Sequence, residues 1–189
     1  GAWIGGQLMY ILFTSVVFTA ALWLLSWIFL LPNLAWGNDW GPVLTTTAVA
    51  GGQWDYNAPL ILSYGCMTSA TPLEATLWVA GVMIAVCFLL GEIMVVCNLW
   101  ARKGAGAVVV SGFSILPLVI SVFAYAPRLT KRLLWISPVS WLDRSLMGNS
   151  NQNLPSYTYG ALMPIGLGIA LGLLIIGTIH RCNLDTQGE

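Results

Sequence analysis

Near its start the chain reads GGQLMYILFTSVVFTAALWLLSWIFLL, from Gly5 to Leu31, without a single charged side chain. A helix needs roughly 20 apolar residues to cross about 30 Å of hydrocarbon, so this stretch can span a bilayer even when tilted. It is too long for the apolar region of a signal peptide, and no basic segment or small-residue cleavage site flanks it. The stretch therefore predicts a retained transmembrane helix, which we place at residues 5–31.

Three further apolar runs follow, at residues 73–100, 105–126 and 159–179. Charged residues return at the ends of these runs and make up only 7% of the chain, against about 25% in soluble domains. The runs are continuous and do not alternate apolar with polar positions, which excludes a transmembrane β-barrel. We expect an all-α membrane protein: one transmembrane domain over residues 1–189, with four transmembrane helices and outer loops at residues 32–71 and 127–158.

The start of the second run carries a helix-capping pattern. Thr71 is placed to cap the helix, Pro72 to occupy its first position, and Glu74 to bond back to the amide of the cap. Glu74 is therefore predicted to be a structural cap and not a catalytic acid.

The linker before the last run contains the pattern of a short outer helix. Ser137 is predicted as its cap, Pro138 as its first helical residue and Gly148 as its terminator, which gives about ten residues, or roughly 15 Å. Because this is too short to span, we expect the helix to lie in the interface or to re-enter partway. Besides Trp141, the helix carries three apolar residues at helical spacing, which we expect to be buried: Val139, Leu142 and Leu146.

Glu92 is an ionisable residue well inside the second run. It lies ten residues before Arg102, roughly 15 Å along a helix, so the two are not expected to pair directly. A carboxylate exposed to hydrocarbon would cost about 3 kcal/mol, so Glu92 should face protein, water or a partner. It is a candidate for a substrate pathway; the alternative is a buried structural hydrogen bond.

The turn between the second and third runs is short, basic and rich in glycine. Arg102, Lys103 and Gly104 are candidates for contact with a soluble partner, and the alternative is an ordinary interfacial anchor. The positive-inside count does not decide the orientation, because the two sides carry three and four basic residues. The two long, aromatic loops favour the outer side, which places this turn in the cytoplasm.

The last run contains a pair of glycines four residues apart. Gly168 and Gly172 form a small-xxx-small pair that lets another helix approach closely. The approaching helix could belong to the same chain or to a second copy, and the sequence leaves both open.

The chain lacks the residue patterns of several other protein classes. His180 is the only histidine, so a multi-histidine metal site is excluded and we expect no metal. We find neither a phosphate-binding loop nor a nucleophile with its base, and we therefore expect no catalytic residues. A formal net charge of zero does not favour nucleic-acid binding.

Residues 126–181 combine a helix that ends in proline, the linker LWISPVSW at residues 134–141, a glycine, and a glycine-rich last span that ends in a basic residue. This arrangement resembles the carboxy-terminal part of ABC-2-type transporter permeases, the membrane subunits of ATP-driven exporters. The resemblance implies that the four runs correspond to spans three to six of six, with a short re-entrant hairpin between the last two. It also implies that the Arg102 turn contacts an ATPase, and that ATP and Mg²⁺ bind in that partner and not in this chain.

These inferences predict a permease subunit, not an enzyme, that moves an amphipathic substrate such as a lipid, peptide or drug. The expected partners are membrane lipids, an ATPase subunit and a second permease copy in a homo- or heterodimer, in the bacterial cytoplasmic membrane. The alternative is a non-transporting scaffold or accessory subunit of a multisubunit complex. An intramembrane enzyme is disfavoured because no catalytic residues are found.

Overall fold

The computed structural model describes residues 2–31, 39–41, 46, 70–101, 103–122, 127–143, 147 and 154–185. None of these residues is in a strand, and the elements with described bounds are one short 3-10 helix, Val139–Leu142, and five α-helices. The α-helices are α1 (Ala2–Leu30), α2 (Pro72–Trp100), α3 (Ala105–Val122), α4 (Pro127–Ile136) and α5 (Tyr157–Asp185). Most of the predicted outer loop 32–71 lies outside the described residues.

Four of the described helices are long and apolar enough to cross a membrane. The segments concerned are Gly5–Phe29, Pro72–Trp100, Ala105–Val122 and Tyr157–Thr178. The all-α prediction with four transmembrane helices is confirmed, and the chain is an integral membrane protein. The described part of the third helix runs to Val122, and residues 123–126 of the predicted span lie outside the described residues.

Helix α2 occupies the centre of the bundle and packs against α1, α3 and α5. Its start is the predicted capping box: the Thr71 amide donates to Glu74 Oε2 (2.9 Å), and the Glu74 amide donates to Thr71 Oγ1 (3.3 Å). Because Pro72 supplies a helical φ where no amide is needed, the first turn forms without an unpaired donor at that position. Local chemistry thus fixes where this central helix begins.

A tight turn joins α2 to α3. Asn98 Oδ1 accepts hydrogen bonds from the Gly104 amide (3.1 Å) and the Gly106 amide (3.0 Å). Gly104 has a φ of +98°, which side chains rarely adopt. Gly106 is buried against the backbone of Met94, where a Cβ would collide with the Met94 carbonyl oxygen. The two glycines therefore serve the packing of α3 on α2.

In the linker between α3 and α5, the structure differs from the predicted outer helix. A ten-residue helix is present, but it is α4, which begins at Pro127; this proline starts a helix and does not simply close the third span. The segment after Ser137 forms only the 3-10 helix and then becomes extended at Asp143. Leu146 and Gly148 lie outside the described residues.

The buried face of the 3-10 helix also differs from the prediction. Ser140 and Trp141 are buried, whereas Val139 and Leu142 are half-buried. The reason is hydrogen bonding: Ser137 Oγ lies 2.7 Å from Ser140 Oγ and accepts a bond from the Ser140 amide (3.3 Å). Since the hydroxyl groups satisfy one another, the polar face can turn inward.

Hydrogen bonds from two aromatic side chains hold this linker together and connect it to α5. Trp141 Nε1 donates to the Leu134 carbonyl (2.9 Å), and the Tyr159 hydroxyl donates to the Trp135 carbonyl (2.9 Å). The Tyr159 ring meets both indoles edge-on, with centroids 4.7 Å from Trp135 and 5.6 Å from Trp141. The 3-10 helix contacts α2, α3 and α5. It is therefore part of the bundle and not a loop lying on it.

Candidate functional site

The best candidate site lies around Glu92, on the buried face of α2. Glu92 follows Val82, Val86 and Leu89 at helical spacing and is only 1% exposed. It lies about 9 Å along the axis from Val86, the middle residue of α2, toward the turn at Gly104. The prediction that Glu92 is shielded from lipid is confirmed.

Two glycines of α5 make room for the Glu92 carboxyl group. A Cβ built on Gly168 would lie 3.1 Å from Glu92 Oε2, and one built on Gly172 would lie 3.0 Å from Oε1. Both distances are shorter than ordinary van der Waals contact, so any larger residue would push the carboxyl group away. The predicted packing pair therefore contacts α2 of the same chain, and the two glycines form a notch for Glu92.

The carboxyl group in this notch is not fully hydrogen-bonded. Glu92 Oε2 is buried and has no hydrogen-bond partner among the described residues. The expected hydrogen bond from protein to Glu92 is thus missing at this atom. A buried acceptor without a donor is costly in hydrocarbon surroundings, which makes the position a site for something that supplies a proton or a positive charge.

An apolar groove opens beside the carboxyl group. It has a volume of about 510 Å³ and is formed by α1, α2 and α5. Glu92 is the one ionisable side chain among its described lining residues. The main apolar contributors are Leu12, Ile84, Phe88, Pro164, Ile169 and Leu173.

The mouth of the groove lies on the apolar surface of the bundle. Leu12, Ile169 and Leu173 each line the groove and are also exposed at that surface. In a membrane this surface meets lipid chains, so a molecule with a hydrocarbon tail can enter the groove sideways from the bilayer. The volume lies within the ~300–1,000 Å³ typical of small-molecule sites.

Phe88 and Pro164 are part of the site, and the sequence predictions missed them. Phe88 lies one helical turn before Glu92, and its Cδ1 is 3.5 Å from the point where a Gly168 Cβ would be. Pro164 is fully buried one turn before Gly168 and cannot donate to the carbonyl of Gly160. Both could have been found from the sequence, because each lies four residues before a predicted site residue on the same helix.

The predicted partner-contact residues lie at a separate place, at the α2–α3 turn. Lys103 and Gly104 are both exposed, while Arg102 lies outside the described residues. The structure does not bring these residues together with Glu92, which is about 12 Å before the end of α2. Of the residues predicted for the outer helix, Trp141 and Leu142 lie in the 3-10 helix, and Ser137 and Pro138 directly precede it.

The described part of the chain contains no obvious metal-binding site. No group of three or more histidine, cysteine, aspartate or glutamate side chains that could hold a metal ion occurs there. Glu92 alone offers too few oxygen atoms for Mg²⁺ or Ca²⁺, which require six or more ligands.

Comparison with protein-family models, with curated proteins and with solved structures returned no match for this chain.

Proposed function

We propose that this chain is the membrane-spanning permease subunit of an ATP-driven exporter for amphipathic substrates, in the bacterial cytoplasmic membrane. The observation that carries the proposal is the apolar groove with a single buried carboxyl group on its wall. An amphipathic molecule has an apolar and a polar part, and this groove offers a matching surface for each. Its mouth at the lipid-facing surface suits substrates that dissolve in the bilayer.

The linker between the last two spans supports the same function. A short amphipathic helix, α4, precedes a 3-10 helix that packs into the bundle. This agrees with the resemblance to ABC-2-type permeases, in which a short hairpin re-enters between the last two spans. The chain would work as a homo- or heterodimer with an ATPase subunit, which binds ATP and Mg²⁺.

The α2–α3 turn is the proposed contact with that ATPase. Lys103 is exposed, and Asn98 Oδ1 accepts hydrogen bonds from the amides of Gly104 and Gly106 just after it. An exposed cation beside a hydrogen-bonded backbone can meet an acidic groove without losing much conformational freedom.

The test is affinity purification of the tagged chain from its native membrane, followed by identification of bound subunits. We expect an ATPase with a phosphate-binding loop to copurify. Reversing the charge of Arg102 and Lys103 to Glu should lower its recovery at least about fivefold. The matched control reverses Lys131 and Arg132 on α4, at the other end of α3, and should leave recovery unchanged.

Correct membrane insertion of both variants is verified before recovery is compared. An assembly that contains other membrane subunits and no ATPase would contradict the exporter and favour the alternative, a non-transporting scaffold. Equal ATPase recovery in the two charge-reversed variants would reduce the turn to an interfacial anchor.

A further inference from the structure

The groove beside Glu92 has an apolar surface and also groups that can recognise a particular head group. Its wall combines a carboxyl group that has an unpartnered oxygen with the aromatic ring of Phe88. A Cβ built on Gly168 would lie 3.1 Å from Glu92 Oε2 and 3.5 Å from Phe88 Cδ1, so both side chains pack beside this glycine. Both also line the groove, and they are therefore neighbours on its wall.

A carboxylate next to an aromatic ring is a pair of groups that can recognise an ammonium ion. The carboxylate supplies charge and accepts an N–H hydrogen bond, and the ring attracts the cation through its negative face. Both effects strengthen where water is excluded, as it is beside a side chain that is 1% exposed. An anionic head group would be repelled at the same position.

The type of ammonium ion follows from the unpartnered oxygen. Oε2 needs a hydrogen-bond donor, which a protonated primary, secondary or tertiary amine has and a quaternary ammonium lacks. A metal cation is disfavoured because Glu92 is the one ionisable side chain among the described residues of the groove.

The rest of the ligand is determined by the remainder of the groove. The described residues other than Glu92 along its wall are apolar or glycine, including Ile84, Ile169 and Leu173. A hydrocarbon chain fits such a wall, and the exposed apolar mouth gives it a route from the bilayer. The tail and the head group thus have separate, adjacent positions.

We propose that the groove binds lipophilic amines in their protonated form, with the ammonium group between Glu92 and Phe88 and the hydrocarbon tail along α5. This rests on the proposed function only for the conclusion that such amines are the exported substrates. Binding itself requires no ATPase and can be measured on the full chain alone.

The experiment is equilibrium dialysis of labelled dodecylammonium against nanodiscs that contain the purified chain, with empty nanodiscs to subtract partitioning into lipid. We expect saturable binding to the protein. Dodecyltrimethylammonium should compete more weakly, while dodecanol and dodecanoate should not compete. Competition by dodecanoate as strong as that by unlabelled dodecylammonium would overturn the proposal.

Two variants locate the ammonium ion. Glu92→Gln keeps the size of the side chain and removes its charge, and should weaken binding at least about tenfold. Phe88→Leu keeps an apolar side chain and removes the ring, and should weaken binding about two- to fivefold. The matched control is Gly166→Ala on α5, where a Cβ meets no atom within 4 Å and which does not line the groove; it should bind like the wild type.

Unchanged affinity in Glu92→Gln, with a monodisperse protein, would overturn the proposal. If Glu92→Gln does not yield folded protein, unchanged affinity in Phe88→Leu overturns the ammonium position between the two groups. Copurification of an ATPase without dodecylammonium binding would leave the exporter standing and remove the substrate class. Glu92-dependent binding without copurification of an ATPase would support the amine site and contradict the exporter.

Discussion

Helix α1 leaves most of its described side chains exposed, whereas α5 turns a continuous face into the bundle. Both are 29 residues long and strongly apolar. Among the described side chains of α1, the buried ones are two small hydroxyl-bearing residues, Ser15 and Thr19, and large residues such as Phe13 (68% exposed) point outward. In α5 the buried positions include Gly160, Gly168, Gly172 and Ile175.

The difference shows that apolar composition does not tell which membrane helices pack closely. Lipid is as apolar as leucine, so a large apolar side chain gains little by leaving it for the protein. Small residues decide the contact because they let backbones approach. Gly91 of α2 receives Ile11 of α1, and Gly168 and Gly172 of α5 receive Glu92 of α2. In the described part of the chain, one buried oxygen on α1 and one between α2 and α5 lack a hydrogen-bond partner: Thr19 Oγ1 and Glu92 Oε2.

The largest effect should come from a charge placed in the packed region. Ser140 is 3% exposed and bonded to Ser137, so Ser140→Asp buries an unpaired carboxylate and should cost about 3–5 kcal/mol or abolish folding. Leu142→Asp, at a half-buried position two residues later, should be milder. The yield of monodisperse protein and its melting temperature measure both. A larger loss of yield or melting temperature in Leu142→Asp than in Ser140→Asp would support the outer helix predicted from the sequence.

Truncating one large apolar side chain on each helix compares the packing of α2 and α1 directly. Leu89 is 1% exposed, and Leu89→Ala should destabilise by about 2 kcal/mol, the lower end for buried leucine, since lipid itself is apolar. Phe13→Ala on α1 removes a larger side chain from an exposed position and should change stability by less than about 0.5 kcal/mol. Thermal unfolding in nanodiscs provides the measurement. Equal losses would mean that α1 is as closely packed as α2.

The α2–α3 hairpin can be tested with a pair of glycines on one helix. Gly106→Ala would drive a Cβ into the backbone of Met94 and should cost about 1–3 kcal/mol. Gly112→Ala meets no atom within 4 Å and should be neutral or slightly stabilising. The readout is the melting temperature of each variant. A stable Gly106→Ala protein would show that α3 does not approach α2 this closely.

The smallest effect concerns the notch that holds Glu92. Gly172→Ala places a Cβ 3.0 Å from Glu92 Oε1, and should cost about 1 kcal/mol because the carboxyl group must move. Gly166→Ala on the same helix has open space and should gain up to about 1 kcal/mol from helix propensity. The two melting temperatures should therefore shift in opposite directions. A parallel rise in both would place Glu92 away from Gly172.

The sequence predicted the structure best where the deciding interactions are short in range. Thr71, Pro72 and Glu74 form their capping box within four residues, and it is present as predicted. The same reasoning failed at Ser137: its Oγ accepts a hydrogen bond from the Ser140 amide, but the segment that follows forms only a one-turn 3-10 helix. There the Trp141 indole donates a hydrogen bond to the Leu134 carbonyl. The pattern of a helix that starts at Pro138 gave no indication of this contact.

The amino-acid sequence by itself determined that this chain lies in the membrane, how many spans it has and where the central helix begins. Run length, absence of charge and capping chemistry act on neighbouring residues, so they can be read along the chain. Only the tertiary structure decided that Glu92 faces Gly168 and Gly172, that its Oε2 lacks a partner among the described residues, and that Phe88 lines the same groove. These facts depend on how α2 and α5 are rotated about their own axes, and that rotation is set by close packing between residues some eighty positions apart.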